Sequence, residues 1–113
     1  MTQFNQDGIM FEATNMTERG RIVNYGYEVE YLGMMLACLR PDDVLYDIGA
    51  NIGTVAIHAA ATCPTVAFEP DPEFRARLRR NLELNPGLLV TDTSRHVRGL
   101  GFLSHPTVAR VVL

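Results

Sequence analysis

Apolar positions in the middle of the chain switch between helical spacing and short continuous runs, and this switching predicts helices alternating with buried strands. Leu32, Met35, Leu36 and Leu39 share one face of a helix expected over residues 28–39, with Glu28 and Glu30 in a first turn whose dipole favours acids. Pro41 stops that helix, and Pro41-Asp42-Asp43 turns the chain into an apolar run, Val44 to Ile48, that reads as a strand. A second helix begins near Ile52 and carries Val55, Ala56, Ala59 and Ala60 at helical spacing. Thr62-Cys63-Pro64 breaks it, and Thr65 to Phe68 forms a second short strand ending in Glu69-Pro70. Asp71-Pro72-Glu73 then starts a third helix, with Asp71 as N-cap, proline at the first helical position and an acid in the first turn. Phe74, Leu78 and Leu82 recur every four residues as its inward face. Arg75, Arg79 and Glu83 lie outward, with Arg79 and Glu83 spaced for an i,i+4 ion pair. Asn85-Pro86-Gly87 ends it.

The flanks are less regular. Residues 1–27 alternate poorly, contain Gly8, Gly20 and Gly26, and read as a lead-in segment with one short hairpin. Residues 28–90 form the βαβα core, Leu88 to Val90 begins a third strand, and residues 91–113 are an atypical tail in which Val108 to Leu113 reads as one more strand. The fold class expected is α/β, a partial Rossmann-like doubly wound parallel sheet.

Composition narrows the chemistry. At 113 residues the chain is one domain, large enough to remove roughly two thirds of its unfolded surface from water. A formal charge of -3 argues against a nucleic-acid surface, which needs a positive excess to displace counterions. All ten basic residues are arginine, so P-loop and Schiff-base chemistry, which depend on lysine, are excluded. Cys38 and Cys63 stand 25 residues apart without a Cys/His cluster and are expected to be buried thiols. No cationic leader or membrane-length apolar run is visible, so a soluble, cytoplasmic protein without a membrane partner is expected; the oligomeric state is left open. No spacing supports a metal site.

The candidate site is Asp47 to Gly53, read as DIGANIG, at the junction of the first strand and the second helix. A strand, a glycine turn and a helix bring backbone amides and a positive helix end to a ligand. Asp47 is placed to accept from a cationic amine, and Asn51 offers both a donor and an acceptor. Glu69 ends the second strand 22 residues after Asp47, close to the offset at which an acid bonds a ribose diol in dinucleotide folds. A dinucleotide fingerprint written from Gly49 would need glycine at positions 51 and 54, where Asn51 and Thr54 stand, so close approach to a pyrophosphate is not provided. S-adenosylmethionine fits better, with an amino-acid end for Asp47 and the loop amides and a ribose for Glu69.

Two stretches, DVLYDIGANIGTVAIHAA from Asp43 to Ala60 and VAFEPDPEFRARLRRNLELN from Val66 to Asn85, make the chain resemble the FkbM-type class I S-adenosylmethionine-dependent methyltransferases. A weaker likeness runs upstream through GYEVEYLGMMLACLRPDD, from Gly26 to Asp43, so about half the chain is covered. The resemblance implies that Asp47, Gly49, Asn51 and Gly53 line the methionine, that Glu69 holds the ribose hydroxyls, and that Ala50 and Pro70 complete the cofactor-binding set. It implies methyl transfer to a hydroxyl of a sugar or related small molecule. The family builds a larger sheet and carries a lysine- and acid-containing motif on its fourth strand. This lysine-free chain is therefore expected to be an N-terminal half, with no catalytic residue named.

The glycine turn could serve packing alone. His58 reads as a packed side chain rather than a base, and His96 and His105, near Ser94 and Ser104, lack a nucleophile elbow. Arg75, Arg77, Arg79 and Arg80 read as a solvated helix surface. For the whole chain, a non-catalytic remnant or interaction module is the alternative to a methyltransferase, and a nicotinamide-dependent oxidoreductase is the third reading.

Overall fold

The computed structural model describes residues 1–24 and 29–93, so the tail strand over 108–113 and both tail histidines lie outside the described residues. The chain opens with the expected hairpin, β1 (Thr2–Gln6) antiparallel to β2 (Ile9–Ala13). Asp7 and Gly8 turn it, both at positive φ (53° and 85°), the two-residue geometry that Asp-Gly supplies best. A helix not expected from the pattern follows, α1 (Met16–Val23). Its Asn15 N-cap accepts from the Glu18 amide at 2.8 Å while Glu18 reaches back to the amide of Thr14, the residue before the cap, at 2.9 Å, a variant of the capping box.

The expected core elements then appear in order. They are α2 (Val29–Cys38), β3 (Leu45–Ile48), α3 (Thr54–Ala60), β4 (Thr65–Phe68), α4 (Pro72–Glu83) and β5 (Val90–Thr93). The three core strands are parallel in the order β3-β4-β5, with Leu45, Thr65 and Val90 in one row and Ile48, Phe68 and Thr93 in another. All three helices pack on the face that carries Leu45 and Ala67. Leu32 and Met35 of α2 join Leu45, Val55 and Ala59, while Ala56 of α3 and Leu78 of α4 join Ala50 and Ala67. On the opposite face Tyr46 and Phe68, diagonal neighbours, stack at 6.1 Å.

The hairpin belongs to the same core. Ile9, Phe11 and Ala13 of β2 pack with Ile22 of α1, with Ile52, and with Ile57 of α3. As a result α3 is enclosed by the sheet, α2, α4 and the hairpin, which explains why Thr54 to Ala59 are all buried.

Several expectations are corrected. Cys38 is exposed at the end of α2, and only Cys63 is buried. Phe74 is 40% exposed rather than inward. Arg79 pairs across to Asp92 at 2.8 Å, where β5 brings a carboxylate beside it, and Glu83 instead meets Arg80 at i,i+3. The arginine run is not one solvated surface: Arg77 and Arg80 turn toward the hairpin and bind Glu12. Among the described residues, no helix is long and apolar enough to cross a membrane.

Candidate functional site

β3 and β4 end side by side, because Ile48 and Phe68 are register partners. The carbonyl of Phe68 therefore accepts from the amides of both Gly49 and Ala50, at 2.9 and 3.0 Å, and ties the start of the DIGANIG turn to the neighbouring strand. The next residue, Asn51, takes a left-handed conformation (φ 56°) and donates its amide to Glu69 Oε1 at 2.6 Å. Its own Oδ1 then accepts from the Ile52 amide at 2.9 Å, and Gly53 donates to the Ala50 carbonyl at 3.0 Å.

Every amide from Gly49 to Gly53 thus has an acceptor inside the protein. The expectation that loop amides are presented to a ligand is corrected on this point: they are spent on holding the turn. The site's polar character comes instead from two buried carboxylates on adjacent strand ends, Asp47 at 1% exposure and Glu69 at 6%. Glu69 is the organising one. Its Oε2 accepts from the Asp71 amide at 3.0 Å, its amide donates to the Thr93 carbonyl, and Arg75 reaches its carbonyl at 3.4 Å. Asp71 in turn caps α4 by accepting from the amides of Glu73 and Phe74. Pro70, half-buried, joins these two caps.

Two residues of the expected set have structural tasks. Ala50 puts its methyl group into the core against Ala56, Ala67 and Leu78. Gly53 (φ 99°) is demanded by packing as well as by the turn: an added Cβ would sit 2.6 Å from Leu78 Cδ1 and 3.0 Å from Ile57 Cδ1. Leu78 is fully buried, worth roughly 1.5–3 kcal/mol of transfer free energy.

A carboxylate pair at the carboxyl ends of neighbouring parallel strands, beyond a helix-leading glycine turn, is a ligand position in open α/β sheets. No family model matches the chain. It is 34% identical over 80 residues to the hexuronic acid methyltransferase AglP of Haloferax volcanii, covering 71% of this chain and 34% of that protein. It is 33% identical over 84 residues to the tRNA (guanine(37)-N(1))-methyltransferase of Mus musculus, covering 63% of this chain and 17% of that one. Among solved structures, Pyrococcus horikoshii TYW2 in complex with MeSAdo superposes with a TM-score of 0.58 at 22% identity, over 80% of this chain and 34% of that chain. The fold is a partial class I methyltransferase fold. The chain spans about a third of the length of the first of these relatives.

The same fold accounts for residues that the pattern did not single out. Asn81, fully buried on α4, donates from Nδ2 to the Ile52 carbonyl and accepts at Oδ1 from the Glu12 amide, both at 2.9 Å. One turn on, Asn85 accepts from the Met10 amide at 3.0 Å and donates to the Met10 carbonyl at 2.7 Å. The two asparagines, with Arg77 on the Glu12 carbonyl, satisfy the free edge of β2 at Met10 and Glu12. The Glu12 side chain is bound by Arg80, Gln3 and Arg77. Hydrogen bonds from Arg80 and then Gln3 hold its carboxyl below the ordinary carboxylate value, against the opposing effect of burial, with Arg77 adding to the lowering. A polar residue between Leu78 and Leu82 was the available signal for Asn81.

His58 is a packed side chain, as expected. It stacks on Phe11 at 5.5 Å and lies 2.8 Å from the Thr54 carbonyl through Nδ1. Burial pushes its pKa down, with the Thr54 carbonyl opposing, so Nδ1 carries the proton toward that carbonyl in the neutral ring.

Proposed function

We propose that this chain forms the cofactor-binding part of an S-adenosylmethionine-dependent methyltransferase of the FkbM type, acting on a hydroxyl of a sugar or related small molecule. The observation that carries the reading is the pair of buried carboxylates, Asp47 and Glu69, at adjacent strand ends beside a turn whose amides from Gly49 to Gly53 are all bonded internally and so not turned to a phosphate. Phosphates need donors, whereas ribose hydroxyls and an ammonium group need acceptors. A nucleoside with an amino-acid end matches those acceptors, and the pyrophosphate of a dinucleotide does not. This also counts against the nicotinamide reading.

In this assignment Asp47 receives the ammonium group and Glu69 receives the ribose hydroxyls. Each Glu69 oxygen accepts one amide and has a further lone pair for a ligand. Gly49, Ala50, Asn51 and Gly53 shape the turn, and Pro70 fixes the exit of Glu69. S-adenosylmethionine supplies an electrophilic methyl group when bound. The residues of this chain bind and orient it, a contribution of position rather than of covalent chemistry. The AglP relationship supports a sugar acceptor, while the mouse relative favours RNA as a second acceptor class.

Calorimetric titration with S-adenosylmethionine and S-adenosylhomocysteine, with NADH as control, tests the cofactor. Heat with both sulfur ligands and none with NADH is expected, and no heat with either sulfur ligand overturns the assignment. Glu69→Ala should weaken S-adenosylhomocysteine by about 1–3 kcal/mol, the loss of a charged hydrogen bond; unchanged affinity removes Glu69 from the ribose. Transfer of labelled methyl groups to hexuronate-bearing sugars, compared with tRNA, separates the acceptor classes. Cofactor binding without transfer to either class supports the non-catalytic alternative.

A further inference from the structure

We propose that Asn81 is a positioning residue for the cofactor turn, and that through it the N-terminal hairpin sets the geometry of the site. The inference rests on the cofactor assignment above only for its binding readout. α4 and the strand-end residue that leads into it hold the DIGANIG turn at two points. At its N-terminal side Glu69 binds the Asn51 amide and also the Asp71 amide at the helix cap. Three turns along, Asn81 binds the carbonyl of Ile52, the next residue of the same turn. Between these ties Leu78 fills the space left by the missing side chain of Gly53. The peptide that carries the left-handed Asn51 is thus bracketed by Asn81 of α4 and by Glu69, the strand-end residue bonded to the cap of that helix.

The second half of the Asn81 amide points away from the site, to the Glu12 amide on β2. Glu12 is anchored to α4 at every polar group: its amide by Asn81, its carbonyl by Arg77 Nη2 at 3.0 Å, and its carboxylate by Arg77 and Arg80. A primary amide fully withdrawn from water has one orientation in which both ends are satisfied, and here that orientation requires the hairpin to be docked. Undocking β2 would free Oδ1, let the amide rotate, and release the Ile52 carbonyl. Asn85 provides the internal comparison, since it makes the same kind of tie to β2 at Met10 but has no hydrogen bond to the turn.

The test compares Asn81→Ala with Asn85→Ala in the intact chain. Amide hydrogen exchange in the ligand-free protein should quicken at residues 49–53 in Asn81→Ala and stay unchanged there in Asn85→Ala, although both loosen β2. Affinity for S-adenosylhomocysteine should fall about tenfold in Asn81→Ala, the effect of one buried hydrogen bond, and less than twofold in Asn85→Ala. Equal effects of the two variants on turn exchange overturn the proposal, because Asn81 would then act only through general stability. If Asn81→Ala does not fold, Asn81→Ser, which retains a smaller polar group, is read in the same way. Failure of the wild-type chain to bind S-adenosylhomocysteine would remove the cofactor assignment, and the exchange comparison would still decide the role of Asn81.

Discussion

Gly53 shows how one residue serves two constraints at once. Its φ of 99° belongs to the left-handed region, and its missing Cβ is the space that Leu78 and Ile57 occupy. The sequence marks it as a turn glycine, but the reason no other residue fits lies 25 positions away in α4. Gly53→Ala should therefore cost about 2–4 kcal/mol, combining left-handed strain with overpacking in a buried site. Urea denaturation checks this, and a loss below about 1 kcal/mol would mean that Leu78 can move aside. Glu69 is legible for a different reason: a strand-end acid followed by a proline and a capped helix is a local pattern. Its bond to the Asn51 amide was not legible, because it depends on β3 and β4 ending in register.

Among the elements, α4 carries the lesson about periodicity. Phe74, Leu78 and Leu82 recur every four residues, but a four-residue step overshoots a turn of 3.6 by roughly 40°. Across eight residues the stripe drifts by roughly 80°, yet Phe74 still falls between Leu78 and Asn81 around the helix, so its 40% exposure follows from its place in the first turn of α4 and not from its angle. The strong start of α4 was readable from Asp71-Pro72-Glu73 because capping is local. The start of α1 was equally local, with Asn15 and Glu18 in capping-box spacing, yet its polar composition hid the one inward residue, Ile22, which is fully buried. The cap predicts a measurable contribution: Asn15→Ala should lower stability by about 1 kcal/mol. A midpoint in urea equal to that of the wild type would show that tertiary contacts alone hold this helix.

At the scale of the whole molecule, two groups that join the hairpin to the core make stability depend on pH with the same sign. His58 has its pKa lowered by burial, so the neutral ring is favoured in the folded state. Its contribution is complete above the ordinary value of 6.5 and is lost as pH falls through the folded value. Glu12 is lowered mainly by Arg80, so its contribution is present above the ordinary 4.5 and is lost at lower pH. Thermal melts from pH 8 to pH 3 should show a decline in two limbs. His58→Phe should remove the upper limb and Glu12→Gln the lower; a flat profile in the wild type would refute both assignments. By itself, the sequence determined the order of the core elements, the glycine turn and the acids at the strand ends, because strand runs, breakers and caps are decided by neighbouring residues. Only the tertiary structure decided that the turn amides are spent internally, that Arg77 and Arg80 bind Glu12, and that Asn81 spans from hairpin to turn. These ties join residues far apart in the chain, and a buried polar group is satisfied by whatever the fold brings within hydrogen-bond reach, which no local pattern encodes.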